Sequence, residues 1–191
     1  MRAVAGFTVL AALALAGSAT CDDRPADEPE SDRNEPFRQE NYRAPTPGSL
    51  RGARVISTAD AQALWRAGSA AFVDVMPHVP RPANLPAGTL WRDKPRLNIP
   101  GSIWLPDTGY GALASAMESY LRANVARISA GDRAKMIVVY CQRACWMSWN
   151  AAKRILGLGY TNIAWYPDGT DGWEEAGLPL QESKPEPQPA Q

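Results

Sequence analysis

The run Met136-Ile137-Val138-Val139-Tyr140, which stops at Cys141, limits the fold more than any other feature of the chain. Five apolar residues without polar alternation leave no face for water, so this strand must be covered on both sides, as in a parallel sheet flanked by helices. Neighbouring segments fit that arrangement. Residues 55–56, 71–75, 102–105 and 163–166 read as further strands. Ser57 or Thr58 caps a helix over 59–67 that Gly68 stops. Leu113, Met117, Tyr120, Leu121 and Val125 fall at helical spacing and predict a helix over 112–128, while a third helix runs over 148–156 until Gly157 and Gly159 end it. Strand, crossover helix and strand in this order imply an α/β sheet with helices on both faces. A proline-punctuated loop fills 77–100, and a connection that long is read as functional.

The ends of the chain read differently. Met1-Arg2, an apolar stretch over 7–16 and the small residues Gly17-Ser18-Ala19 make residues 1–19 a signal peptide, cleaved near Ala19. Cys21 offers lipid anchorage as the competing reading, against which Ser18 and Thr20 fit a lipobox poorly. Both readings place the mature protein in an oxidising extracytoplasmic space, the periplasm, where a disulfide persists. Residues 22–43 hold eight acids and four arginines with few apolar side chains. We therefore expect a disordered acidic and proline-rich linker over 20–50, one folded domain over 51–180, and a disordered proline-rich tail over 181–191. Lys and Arg total 20 and so do Asp and Glu, which leaves no basic surplus to hold nucleic acid.

Chemistry concentrates where the central strand stops. Cys141 stands at a strand's carboxyl end just before a helix, a position where backbone N–H groups favour a thiolate or an anionic ligand. It is expected at the mouth of the sheet, cradled by amides. Arg143 adds a cation. Cys145 lies four residues on, within Cys141-Gln142-Arg143-Ala144-Cys145-Trp146-Met147-Ser148. The two sulfurs reach one another only if the segment is irregular, because regular helix suits a disulfide at that spacing poorly. A redox or sulfur-handling pair, an inert bridge and two unpaired thiols all remain open. Two cysteines and the single histidine, His78, do not make a four-ligand zinc set, and no Cys-x-x-Cys-His is present for covalent haem. Trp146, Trp149, Trp165 and Trp173 stand on or beside the loop, either as cleft-lining anchors or as core, and Asp168 and Asp171 lie in a Gly-rich turn.

Val138-Val139-Tyr140-Cys141, then Ser148-x-x-Ala151-Ala152-x-x-Ile155-x-x-Leu158-Gly159-Tyr160-x-Asn162-Ile163 and Asp171-Gly172-Trp173, resemble the second half of a rhodanese domain. Val73-Asp74-Val75 and Ile99-Pro100-Gly101-Ser102-Ile103 resemble its first half. The resemblance implies a three-layer sandwich with a central, mainly parallel sheet of about five strands over roughly residues 54–180. Cys145-Trp146-Met147-Ser148-Trp149-Asn150, the stretch 165–173 and the stretch 99–106 are similar to a subgroup, the PQQ-dependent catabolism-associated CXXCW motif proteins, although three residues separate the cysteines here. That similarity implies an exported accessory protein of alcohol oxidation, with PQQ by association only and not bound directly. Its implied partners are a periplasmic quinoprotein dehydrogenase or cytochrome c and a small sulfur donor or acceptor. Cys141 is the expected nucleophile or sulfur carrier, Cys145 the resolving thiol and Arg143 the anion partner, with Gln142, Ala144, Trp146, Met147, Ser148, Asp74, Asp171 and Trp173 around them. A non-catalytic binding module is the alternative. Departures bear on thiosulfate transfer: the loop lacks the family's glycine and closing arginine, Met76 stands where an arginine is common, and Asn98 where a histidine is common.

Overall fold

Eleven elements alternate along the residues that the computed structural model describes, 36–188 apart from 80, 83, 91 and 93. The expected signal peptide, Cys21 and the last three residues of the tail lie outside them. Strands β1 (Ala53–Val55), β2 (Ala71–Asp74), β4 (Ile103–Trp104), β5 (Ile137–Tyr140) and β6 (Ile163–Tyr166) form one sheet in the order β1-β6-β5-β2-β4, with every neighbouring pair parallel. The strand with the longest apolar run, β5, takes the centre, and all four of its residues are buried. Helix α1 (Thr58–Ala67) starts as read: Ser57 and Asp60 form a reciprocal capping box, and Gly68 closes it at φ 59°.

Two apolar clusters lie on the two faces of the sheet. The odd members of β5, Ile137 and Val139, pack with Val73, Leu121, Val125, Trp149, Ile155 and Trp165, below helices α2 (Ser115–Ile128) and α3 (Trp146–Gly157). Its even members, Val138 and Tyr140, pack with Phe72, Ile99, Tyr166 and Trp173, below α1 and a short helix α4 (Gly169–Glu175). The period-two alternation of β5 thus feeds both layers. Three-layer α/β architecture follows, as the sequence implied.

Three elements depart from the expected pattern. Inside the proline-rich loop, β3 (Arg96–Asn98) pairs antiparallel with β7 (Gln181–Ser183), so the expected disordered tail begins with a strand. Beyond it, Glu186 donates its N–H to Trp104 O and accepts at its own carbonyl from Tyr120 Oη. The prolines of the tail remove donors but leave carbonyls able to accept, and β3 supplies the missing partner edge. Helix α4 forms where a turn was read. The described part of the linker, residues 36–50, has no regular element yet is held to the domain: Arg38 and Asn150 exchange backbone and side-chain hydrogen bonds, Trp146 Nε1 donates to Pro45 O, and Trp149 Nε1 to Ser49 O. Phe37 and Tyr42 are the aromatic signals in an otherwise polar stretch; Arg154 lies 4.2 Å from the Phe37 ring centroid, and Tyr42 meets Tyr110 edge to face.

Candidate functional site

The segment between β5 and α3 turns through one strained residue. Ala144 sits at φ 51°, a left-handed conformation that costs a residue with a Cβ, and Cys145 then acts as the extended N-cap of α3. Helix α3 therefore begins two residues earlier than expected, at Trp146. The irregular backbone brings the two sulfurs together, and Cys141 and Cys145 are joined as a disulfide with Cα atoms 6.6 Å apart.

Cys141 is not at the open mouth of the sheet. Its relative exposure is 0%, against 2% for Cys145, and the companion sulfur's residue lines a cleft of about 280 Å³ with Tyr42, Arg43, Met76, Tyr110, Gln142 and Met147. The amide cradle expected around the first sulfur is also partly taken. Arg143 N donates to Asp171 Oδ2 at 3.3 Å, and Trp146 N, in the first turn of α3, donates to Tyr42 O at 2.9 Å. The linker that was expected to wander thus satisfies one of the open donors at the helix start.

Below the loop, a buried ion pair fixes its first residue. Asp74, wholly buried at the end of β2, accepts from Arg96 Nε at 2.7 Å and from Met76 N at 2.9 Å. Arg96 Nη2 continues to Cys141 O at 3.1 Å, and Thr170 donates to the same carbonyl through its N and its Oγ1 at 3.1 and 3.2 Å. Burial pushes the Asp74 carboxyl above its ordinary value, and the Arg96 charge opposes that shift. Gly169 makes the approach of α4 feasible: a Cβ there would lie 2.6 Å from Cys141 O. Tyr140 Oη accepts from Ile99 N and donates to Ser102 Oγ, tying the end of β5 to the following layer.

The other expected site residues separate into groups. Gln142 bridges to Gly169 and lines the cleft, as does Met147, while Ser148 lies buried beneath the loop, donating to Cys145 O and accepting from Trp165 Nε1. Trp146, Trp149 and Trp165 are core on the α3 face. Trp173 belongs to the opposite face, edge-on to Trp65 at 5.5 Å, so it does not share the cysteine pocket. Arg143 turns outward to the acids of α4: its Nη1 and Nη2 donate to Glu175 at 2.6 and 2.7 Å and its Nε to Asp168 at 3.1 Å. Its charge is compensated there, which corrects its assignment as the partner of a sulfur-bound anion. Arg96 and Arg43 were missed, because a single arginine in a proline-rich loop or an acidic linker carries no spacing signal, while Gly169 and Thr170 lie in the 165–173 stretch singled out above without being assigned to the site. Among the described residues, no three His, Cys, Asp or Glu side chains converge to hold a metal ion.

The sequence model of the rhodanese-like domain matches residues 57–176. No curated protein sequence matches the chain significantly. A thiosulfate sulfurtransferase from Pseudomonas aeruginosa has a similar structure at TM-score 0.50 and 22% identity, covering 73% of this chain and 22% of that one. A polysulfide-sulfur transferase homodimer from Wolinella succinogenes matches at TM-score 0.43 and 22% identity, covering 68% of this chain and 79% of that one. This chain therefore spans only 22% of the first structure's length, and likeness at such identity speaks for fold alone. With the family match running from the cap of α1 to the end of α4, across the parallel sheet and the cysteine loop, this protein belongs to the rhodanese-like domain family.

Proposed function

We propose that the protein is a thiol–disulfide redox member of the rhodanese fold, in which Cys141 and Cys145 cycle between dithiol and disulfide. The observation that carries this reading is the bonded pair in a loop whose Arg143 and Trp146 amides already serve Asp171 and Tyr42. A sulfur carrier of the thiosulfate type needs such amides, and a charge like that of Arg143, for the anion held on its sulfur. Here those groups have other acceptors. Sulfane sulfur still has a route into the cycle. When Cys141 carries a persulfide, the Cys145 thiolate attacks Cys141 Sγ, hydrosulfide leaves with the electron pair of the old S–S bond, and the Cys141–Cys145 disulfide remains. Two equivalents of an external thiol then restore the dithiol and leave as their own disulfide.

The setting we propose is export to the periplasm and service to PQQ-dependent alcohol catabolism. Residues 1–19 and the CXXCW-like stretches support it. In that setting PQQ stays with a partner quinoprotein dehydrogenase, or the partner is a cytochrome c.

Incubating the reduced full chain with thiosulfate or a persulfide donor, then analysing the Cys141 peptide by mass spectrometry, tests the chemistry. We expect a Cys141–Cys145 disulfide with release of hydrosulfide. A long-lived sulfur adduct on Cys141 would assign sulfur transfer instead, and an unmodified dithiol would assign a binding module.

A further inference from the structure

The cysteine pair is approached from two unlike sides. On the α4 side stand Asp168, Asp171 and Glu175, three carboxylates gathered round Arg143. On the other side lies the 280 Å³ cleft, whose lining residues include no carboxylate, one arginine (Arg43) and a mostly apolar wall of Tyr42, Met76, Val79, Tyr110 and Met147. Arg43 is fixed there by donating from Nη1 to Arg143 O at 3.0 Å. Among the described residues, a thiolate meets three carboxylates round one arginine on the α4 side but, at the cleft, only Asp107, which accepts from His78 N at 3.2 Å, set against Arg43, so the acidic side repels it more. Cys145 lines that cleft, whereas Cys141 is absent from its wall and wholly buried.

Resting on the redox reading above, we infer that the disulfide is opened at Cys145 by a small apolar thiol bound in this cleft. In this reductive half of the cycle Cys145 is the sulfur attacked, the reverse of the persulfide half, in which it is the attacker. The incoming thiolate bonds to Cys145 Sγ, the Cys141–Cys145 bond breaks, and its electron pair leaves on Cys141 Sγ, which takes a proton from solvent. Cys141 is the resolving sulfur: a second thiolate, or Cys141 itself in the reverse direction, releases the mixed disulfide from Cys145. The cleft's volume suits a molecule of modest size, and Cys145, at 2% residue exposure, is recessed from the flat surface a protein thiol would present.

The order of attack is read with Cys141→Ser and Cys145→Ser variants of the full chain, each also carrying Cys21→Ser so that one thiol remains, and the aryl disulfide 5,5′-dithiobis(2-nitrobenzoate). Cys141→Ser, which keeps Cys145, should form its mixed disulfide at least about tenfold faster than Cys145→Ser, as recessed and walled-off thiols differ in access. Equal rates, or faster reaction at Cys141, would overturn attack at Cys145. The substrate class is read on oxidised wild type with benzyl mercaptan against 2-mercaptoethanol, thiols of similar acidity. Burying the phenyl group should favour the former by about tenfold. Equal rates would overturn the apolar-thiol assignment, and Tyr110→Ser should remove the preference while circular dichroism stays that of wild type. If dithiothreitol cannot open the disulfide of the folded protein, the redox reading itself falls; if it does so but the variant rates are reversed, only the inference falls.

Discussion

Replacing Arg96 by Met removes one partner of a wholly buried carboxylate, and the consequence can be worked through from the geometry. Asp74 has 0% side-chain exposure and Arg96 13%, at 2.7 Å. Breaking a buried pair from one side costs about 3–5 kcal/mol, and the slight solvation of Arg96 places this case near the lower end, about 3 kcal/mol. For a domain of this size that is a fall in Tm of roughly 10 °C. The loss must also depend on pH. Asp74 titrates above its unfolded value, so its ionisation favours unfolding, and stability from this group declines as pH rises from the unfolded pKa through the folded one. Arg96 restrains that rise; without it the folded carboxyl moves higher and the decline deepens at neutral pH. Protonation of Asp74 removes the uncompensated charge, so the deficit of R96M should narrow as pH falls from about 7 to near the ordinary carboxylate value of 3.8. Urea unfolding at both pH values measures it, with Asp74→Asn in the R96M background expected to recover part of the loss. A deficit below about 1 kcal/mol at neutral pH, or one independent of pH, would refute the buried-pair argument.

Two substitutions probe the backbone around the cysteine loop. Gly169→Ala places a methyl 2.6 Å from Cys141 O at a backbone φ of 52°, and should cost more than about 2 kcal/mol in urea unfolding; wild-type stability would show that α4 need not approach the loop so closely. Ala144→Gly relieves the φ of 51° while freeing the unfolded chain, so a net gain of up to about 1 kcal/mol is expected, and a measurable loss of thermal stability would contradict the strain assigned to that residue.

What the sequence determined by itself is whatever local periodicity and short-range chemistry encode. The unbroken apolar run of β5 dictated a strand covered on both faces, and Ser57 with Gly68 bracketed α1 within a residue. Cys141 was placed at a strand end because the run stops there. Tertiary structure alone decided which groups meet across long separations. Arg96 reaches Cys141 O over 45 residues and Tyr42 O reaches the Trp146 amide over about a hundred, contacts that no spacing along the chain announces. The tail found an edge in β3, and Arg143 found Glu175 before it could face a sulfur-bound anion. Which of the two cysteines touches the cleft is likewise a property of packing. A strand-end position fixes where a sulfur begins, but the side chains of α3, α4 and the linker settle from which direction solvent and ligand can reach it.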